Sequence, residues 1–141
     1  MKSRDQLTMN DYQALAEFRY QIRRFLHFSE QAAREAGLEP QQHQLLLALK
    51  GLPESSKATI GEIARRLQIQ HHSTVELVDR MVDRNLIQRS RDDEDQRRVI
   101  IKLTAQGEEV LGKLSLLHHT ELQSTGPTLV QALNKLIDTK N

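Results

Sequence analysis

The sequence predicts a mainly α-helical (α+β) chain with one two-stranded β-hairpin. Three features point to this class: a long segment with apolar residues spaced by three and four, two short helical segments close together, and two strand candidates joined by a polar loop. The 141 residues suit a single domain over residues 1–141. An apolar fraction of 38% is low for a self-contained monomer, which favours a core completed by a second copy.

The first predicted element is a long helix over residues 11–36. Its apolar seam consists of Leu15, Phe18, Ile22, Phe25, Ser29, Ala32 and Ala36. Thr8 or Asn10 can cap its start, and Gly37 can end it in the left-handed conformation. All the aromatic residues, three Phe and two Tyr, lie in this segment. They are either core residues or part of a subunit interface or ligand cavity.

A second helix is predicted from Pro40 to about Gly51, because proline suits a first helical turn. After a polar loop, Thr59 and Glu62 fit a capping box, in which each side chain bonds the other residue's amide. This box predicts the start of a short third helix.

A fourth helix is predicted to begin near Gln70 or His71 and to end at Asn85, since asparagine tolerates a left-handed backbone. Its apolar stripe consists of Val75, Leu77, Val78, Met81 and Val82. Two short helices separated by three or four residues form a helix-turn-helix candidate. We call the second of them the reading helix.

Residues 86–89 and the β-branched, alternating residues 99–103 predict two strands joined by an entirely polar loop. This hairpin, residues 86–103, is called the wing. Thr104 then caps a helix, and a separate last helix is predicted after Pro127. This order of predicted helices and strands is that of a winged helix-turn-helix region over residues 40–104, flanked by helices at 1–39 and 105–141.

Composition excludes several classes of protein. No apolar run approaches the roughly 20 residues of a membrane span, and no apolar leader follows the N-terminus, so we expect a cytoplasmic protein. The absence of cysteine excludes disulfides, thiolate metal sites and thiol redox sensing. Adjacent histidines point about 100° apart on a helix, so neither His71-His72 nor His118-His119 predicts a metal site. No cofactor is expected.

Several spaced motifs make the sequence similar to the MarR-type family (multiple antibiotic resistance regulators) of bacterial transcription factors. They are Ile60-Gly61-Glu62-Ile63-Ala64-Arg65-Arg66-Leu67, Val78-Asp79-Arg80-Met81 with Leu86-Ile87, Asp95-x-Arg97, and Leu103-Thr104-x-x-Gly107. The resemblance spans about residues 40 to 110. It departs at Asn85, where a glycine is usual, and at Ile69, Gln70, His71 and His72, where a start of the reading helix that contains serine and arginine is usual. The second departure leaves the fold unchanged and affects which DNA sequence the reading helix would recognise.

The start of the reading helix carries the polar side chains that a major groove can accept. They are Gln70, His71, His72, Ser73 and Thr74. Base edges in this groove present a donor and acceptor code to one inserted helix. The alternative is an ordinary solvated helix N-terminus. The hairpin that follows favours base recognition in DNA over this alternative.

The wing carries Arg89, Arg91, Arg97 and Arg98 against four carboxylates, and Arg91, Arg97 and Arg98 are the candidate DNA contacts. The resemblance implies that Asp95 braces the loop by pairing with a nearby arginine and that Arg97 enters the minor groove. A narrow minor groove concentrates negative potential, which favours an arginine. The alternative is a solvated charge run whose surface ion pairs contribute little.

The nucleic acid expected is a duplex, because no aromatic residue follows Phe28 and single strands are bound by aromatic stacking. One reading helix covers only a few base pairs, so a two-fold homodimer on a pseudo-palindromic operator is expected. The flanking helices occupy the places of the family's dimerisation helices.

The family resemblance also implies release from DNA by a small, often aromatic or phenolic, effector. By position, Tyr20, Arg23, His27 and His43 are the candidate contacts. The alternative is that these are ordinary surface or interface residues.

The sequence thus predicts a sequence-specific, double-stranded DNA-binding transcriptional regulator, a repressor acting as a homodimer. The alternative is a winged-helix adaptor or antirepressor that binds protein, which the net charge of +1 and the acidic wing permit. The chain contains no nucleophile elbow, phosphate loop or HExxH motif, so an enzyme is not expected.

Overall fold

A computed structural model describes residues 2–138 and confirms the predicted class, mainly helical with one antiparallel hairpin. After a 3-10 turn at Arg4–Gln6, the elements are α1 (Met9–Glu35), α2 (Pro40–Lys50), α3 (Ile60–Leu67), α4 (His71–Asp83), β1 (Ile87–Arg91), β2 (Val99–Leu103) and α5 (Ala105–Ile137). Helix α4 is the reading helix. No helix within residues 2–138 is both long and apolar enough to cross a membrane.

The chain divides into two compact units. The terminal unit consists of Met1–Ala32 and Leu116–Asn141, and the central unit of Ala33–Ser115. The central unit contains α2, α3, the reading helix and the wing, so every residue predicted to contact DNA belongs to it.

Local capping sets the ends of the helices in the central unit. Thr59 Oγ1 accepts a hydrogen bond from the Glu62 amide at 3.2 Å, as predicted. The second half of the predicted capping box is wrong, because the Glu62 carboxylate instead accepts hydrogen bonds from Arg65 and Arg66. Gly37 and Asn85 take the expected left-handed backbone, with φ of 83° and 58°.

The core of the central unit lies where α2, α3, α4 and the wing pack together. Its largest fully buried apolar side chains are Leu45, Leu46, Ile63, Val78, Met81, Ile87 and Leu114. The strands pair in register from Ile87 opposite Leu103 to Arg91 opposite Val99. The Ile101 amide also donates to the Ala58 carbonyl at 2.9 Å, which joins β2 to the segment before α3.

The junction between the wing and α5 explains the spacing Leu-Thr-x-x-Gly. Thr104 Oγ1 accepts from the Gly107 amide at 3.0 Å and donates to the Asn85 carbonyl at 2.7 Å. Gly107 lies so close to Leu86 that a Cβ at this position would stand 2.1 Å from the Leu86 carbonyl oxygen. The motif therefore combines a helix cap with a backbone contact that no side chain can enter.

In the terminal unit, Thr8 rather than Asn10 caps α1. The Thr8 hydroxyl accepts from the Asp11 amide at 3.3 Å, and the Asp11 carboxylate accepts from the Thr8 amide at 2.8 Å. Farther along, Ser29 Oγ lies 2.7 Å from His118 Nε2, and the rings of Phe25 and Phe28 pack edge-on against His118. These contacts join α1 to α5 within this unit.

The prediction of a separate last helix after Pro127 is wrong, because α5 runs without interruption from Ala105 to Ile137. Proline removes one main-chain hydrogen bond, but its fixed φ is helical. The shielded stripe of the helix keeps its spacing of three and four across Pro127: His118, Glu121, Thr125, Leu129, Ala132 and Leu136. The helix thus keeps one shielded face on both sides of the proline.

Candidate nucleic-acid interface

The first turn of the reading helix presents polar side chains to solvent. Gln70, His71 and His72 are exposed and Ser73 is half-buried. Gln70 is the N-cap residue and makes no side-chain capping bond, so its amide group is available to a ligand. Behind this turn, Leu77, Val78 and Met81 are buried and fix the helix to the core.

Thr74 has no exposed surface, and its hydroxyl donates to the Gln70 carbonyl at 3.0 Å. A side chain that is fully buried cannot reach a base edge. We therefore leave Thr74 out of the proposed reading set, although the sequence analysis included it. Its position supports the first turn from within.

Several arginines of the central unit are committed to carboxylates. Glu62 Oε1 accepts from Arg65 Nη2 at 2.6 Å and from Arg66 Nε at 3.1 Å. These bonds, from Arg65 first and then Arg66, hold the pKa of Glu62 below its ordinary value. Arg89 pairs with Asp79 on the reading helix. The positive charge of this surface is thus largely balanced within the unit.

At the tip of the wing, Asp95 bonds Arg97 at three points. Arg97 Nε lies 3.1 Å from Oδ1, Nη2 lies 3.3 Å from Oδ2, and the Arg97 amide donates to Oδ1 at 3.1 Å. Arg98 Nη2 stands 3.9 Å from Asp95 Oδ2. The Arg97 side chain is nevertheless 92% exposed. Arg91 is also exposed and makes no ion pair with any residue that the structure describes.

This arrangement predicts the titration of Asp95. The Arg97 side chain, followed by the Arg97 amide, lowers the pKa of Asp95 below its ordinary value of 3.8. A depressed pKa contributes stability above the unfolded-state pKa, and this contribution is lost as pH falls through the folded-state pKa. We expect the pKa of Asp95 in an NMR titration of its carboxyl signal to lie below 3.8, and to move nearer that ordinary value in Arg97→Ala. Equal midpoints for Asp95 in the two proteins would contradict the pairing.

The structure adds a carboxylate that the sequence analysis did not single out. The Asp92 side chain, at the base of the wing loop, is only 3% exposed. Its Oδ1 accepts from the Glu94 amide at 3.2 Å and from Lys57 Nζ at 3.5 Å. The alternation of β1 does not predict this burial, because its buried residue, Ile87, points to the opposite face from Asp92.

The four candidate effector contacts lie in different units. Tyr20, Arg23 and His27 are exposed on α1 within the terminal unit. His43 is buried on α2 within the central unit. Their role in ligand binding stays a prediction.

A helix pair with an outward polar start on its second helix, followed by a hairpin with an exposed arginine, defines a winged helix-turn-helix protein. A sequence profile described as "MarR family" matches residues 36–98, which include α2, both helices of the pair and most of the wing. Over these residues the chain is similar to the MarR family of winged helix-turn-helix transcriptional regulators. The likeness is to regulators rather than to enzymes.

Individual proteins are similar to the chain in sequence or in fold. The chain is 28% identical over 109 residues to the uncharacterized HTH-type transcriptional regulator YsmB of Bacillus subtilis, covering 74% of this chain and 73% of that protein. The fold is similar to that of AbsC, a MarR family transcriptional regulator from Streptomyces coelicolor, with a TM-score of 0.73, 20% identity, and coverage of 94% and 92%. It is also similar to a mutant of S. aureus MepR bound to an oligodeoxyribonucleotide, with a TM-score of 0.66, 20% identity, and coverage of 88% and 95%.

Proposed function

We propose that this regulator binds double-stranded DNA sequence-specifically, with the reading helix in the major groove and Arg97 in the minor groove. The observation that carries the proposal is the exposure of Gln70, His71 and His72 on one helical turn, together with an arginine held outward at the tip of the wing. These side chains are of the type that reads base edges and narrow grooves. The DNA-bound MepR mutant, which shares the fold, supports the same partner.

The terminal unit supports a homodimer. It leaves a series of large apolar side chains exposed on α1 and α5: Tyr12, Leu15, Tyr20, Leu26, Leu116, Leu117, Val130, Leu133 and Ile137. An apolar surface of this extent on a single chain marks an interaction site. A two-fold dimer would present two reading helices to a pseudo-palindromic operator about 34 Å apart. Occupation of such an operator would repress transcription, and an aromatic or phenolic effector would release it.

A second candidate is a winged-helix adaptor that binds protein. The four carboxylates of the wing loop and the pairing of Arg65, Arg66 and Arg89 favour it, since they reduce attraction to phosphate. The two functions differ in their response to duplex DNA.

The test is selection of duplexes from a random pool by the purified chain at about 0.15 M salt. We expect a winning site with two-fold symmetry, whose log affinity falls with log salt by about 0.9 per phosphate neutralised. The control is a shuffled duplex of the same composition. Failure to enrich any duplex would contradict DNA reading and favour the adaptor.

A further inference from the structure

The base of the wing contains a carboxylate in an unusual place. Asp92 has a side chain that is 97% shielded, whereas the neighbouring Asp93 and Glu94 are exposed. A buried carboxylate is costly unless cations and hydrogen bonds compensate it. The residues that contact Asp92 therefore show which segments of the chain this charge connects.

Two cations approach Asp92 from different parts of the chain. Lys57, in the loop between α2 and α3, places Nζ 3.5 Å from Oδ1 and 3.3 Å from the Glu94 carboxylate. These contacts, with the Glu94 hydrogen bond largest, raise the pKa of Lys57 above its ordinary value. Arg98, on the returning arm of the wing loop, places Nη1 3.6 Å from Oδ2.

Main-chain hydrogen bonds connect the same segments, the wing loop and residues 57–58. The Asp92 amide donates to the Arg98 carbonyl at 3.0 Å and closes the loop that carries Arg97. The bond from the Ile101 amide to the Ala58 carbonyl fixes β2 to the residue that follows Lys57. Residues 57–58 lead directly into α3 through its cap Thr59. Asp92 thus joins the wing loop to the start of the helix-turn-helix.

We infer that Asp92, compensated by Lys57 and Arg98, is a positioning residue that sets the direction of Arg97 toward DNA. This inference rests on the proposed function. Asp92 does not touch the duplex. Its buried charge holds the base of the loop while Arg97, five residues farther along, extends from the tip.

The experiment compares Asp92→Asn with Asp93→Asn, alone and in an Arg97→Ala background. Both substitutions remove one negative charge from the same loop, which by Coulomb attraction alone would strengthen binding to phosphate. The probe is the duplex selected by the wild-type chain. We expect Asp93→Asn to bind as well as the wild type or better. Asp92→Asn should bind about tenfold more weakly, within the range for residues that share a network.

The double variant separates positioning from a general loss of structure. If Asp92 acts through Arg97, Asp92→Asn should change affinity by less than about twofold once Arg97 is alanine. Urea unfolding verifies that each variant is folded at the binding temperature. If Asp92→Asn does not fold, Lys57→Met takes its place in the same cycle. Lys57 is 40% exposed, and Lys57→Arg, which keeps the charge, should restore binding.

Two results would overturn the inference while leaving the proposed function intact. One is equal affinity of Asp92→Asn and Asp93→Asn. The other is the same loss from Asp92→Asn whether or not Arg97 is present. Failure of the wild-type chain to select a duplex would instead overturn the proposed function, and the positioning role with it. Amide exchange at Ile101 would then still report whether Asp92 fixes the wing to the loop before α3.

Discussion

Gly107→Ala is expected to destabilise the folded chain by about 3 kcal/mol, a cost typical of severe overpacking. The added Cβ would stand 2.1 Å from the Leu86 carbonyl oxygen, and this neighbour is backbone, which cannot move as a side chain can. Leu86 itself is buried, and its carbonyl accepts from the Thr104 amide at 3.1 Å. A shift would therefore disturb the cap of α5 and the first residue of the wing together.

Gly112→Ala is the matched control, because it lies on the same helix in the same unit and an added Cβ meets nothing within 4 Å. Alanine is the better helix former by roughly 0.5–1 kcal/mol, so this variant should be slightly stabilised. The measurement is thermal unfolding of both variants at equal chain concentration, since oligomerisation links stability to concentration. Opposite shifts of the melting temperature are expected. A Gly107→Ala protein as stable as the Gly112→Ala protein would refute the close backbone contact.

Arg97→Ala is expected to weaken binding to the selected duplex by about 100-fold. A single base-reading or groove arginine contributes on the order of 1–3 kcal/mol, and the proposed dimer contains two copies. The duplex affinity of Arg97→Lys should lie between those of the wild type and Arg97→Ala, because lysine keeps the charge but lacks the planar guanidinium. The measurement is a titration of labelled duplex at several salt concentrations.

Gln96→Ala serves as the control for the tip of the wing, since Gln96 is exposed next to Arg97 and carries no charge. It should bind within about twofold of the wild type, as expected for a surface change that removes no groove contact. If Arg97→Ala binds the duplex as Gln96→Ala does, Arg97 does not enter the groove.

The parts of the fold that the sequence predicted are those set by local chemistry. A threonine before a helix, as at Thr59 and Thr104, has a hydroxyl that reaches an amide three residues away. Gly37 and Asn85 end helices because glycine, which lacks a Cβ, and asparagine both tolerate a positive φ. None of these outcomes depends on distant residues, so the pattern of residue types was sufficient.

Predictions failed where distant or competing partners decided the outcome. Glu62 had an amide and two arginines within reach, and the arginines, being charged, were the stronger donors. Pro127 predicted a helix end, but the shielded stripe of α5 continues in phase beyond it. Local propensity gave way to packing in the terminal unit.

For the candidate site, the burial of Thr74 could have been predicted from the sequence, whereas the burial of Asp92 could not. Thr74 stands three, four and seven residues before Leu77, Val78 and Met81, so its place on the buried stripe could be read from the spacing. The burial of Asp92 depends on Lys57, 35 positions away, and on the packing of the wing against residues 57–58. No local pattern distinguishes Asp92 from the other carboxylates of its loop.

The pairing of arginines with carboxylates also bears on how the regulator would search a genome. Arg65, Arg66, Arg89, Arg97 and Arg98 each face an acidic partner, and the whole chain carries a net charge of only +1. Long-range attraction to arbitrary DNA comes from uncompensated positive charge. If the chain binds an operator as proposed, its weak attraction to other DNA would shorten sliding on non-operator sequence and leave fewer molecules at the many competing sites.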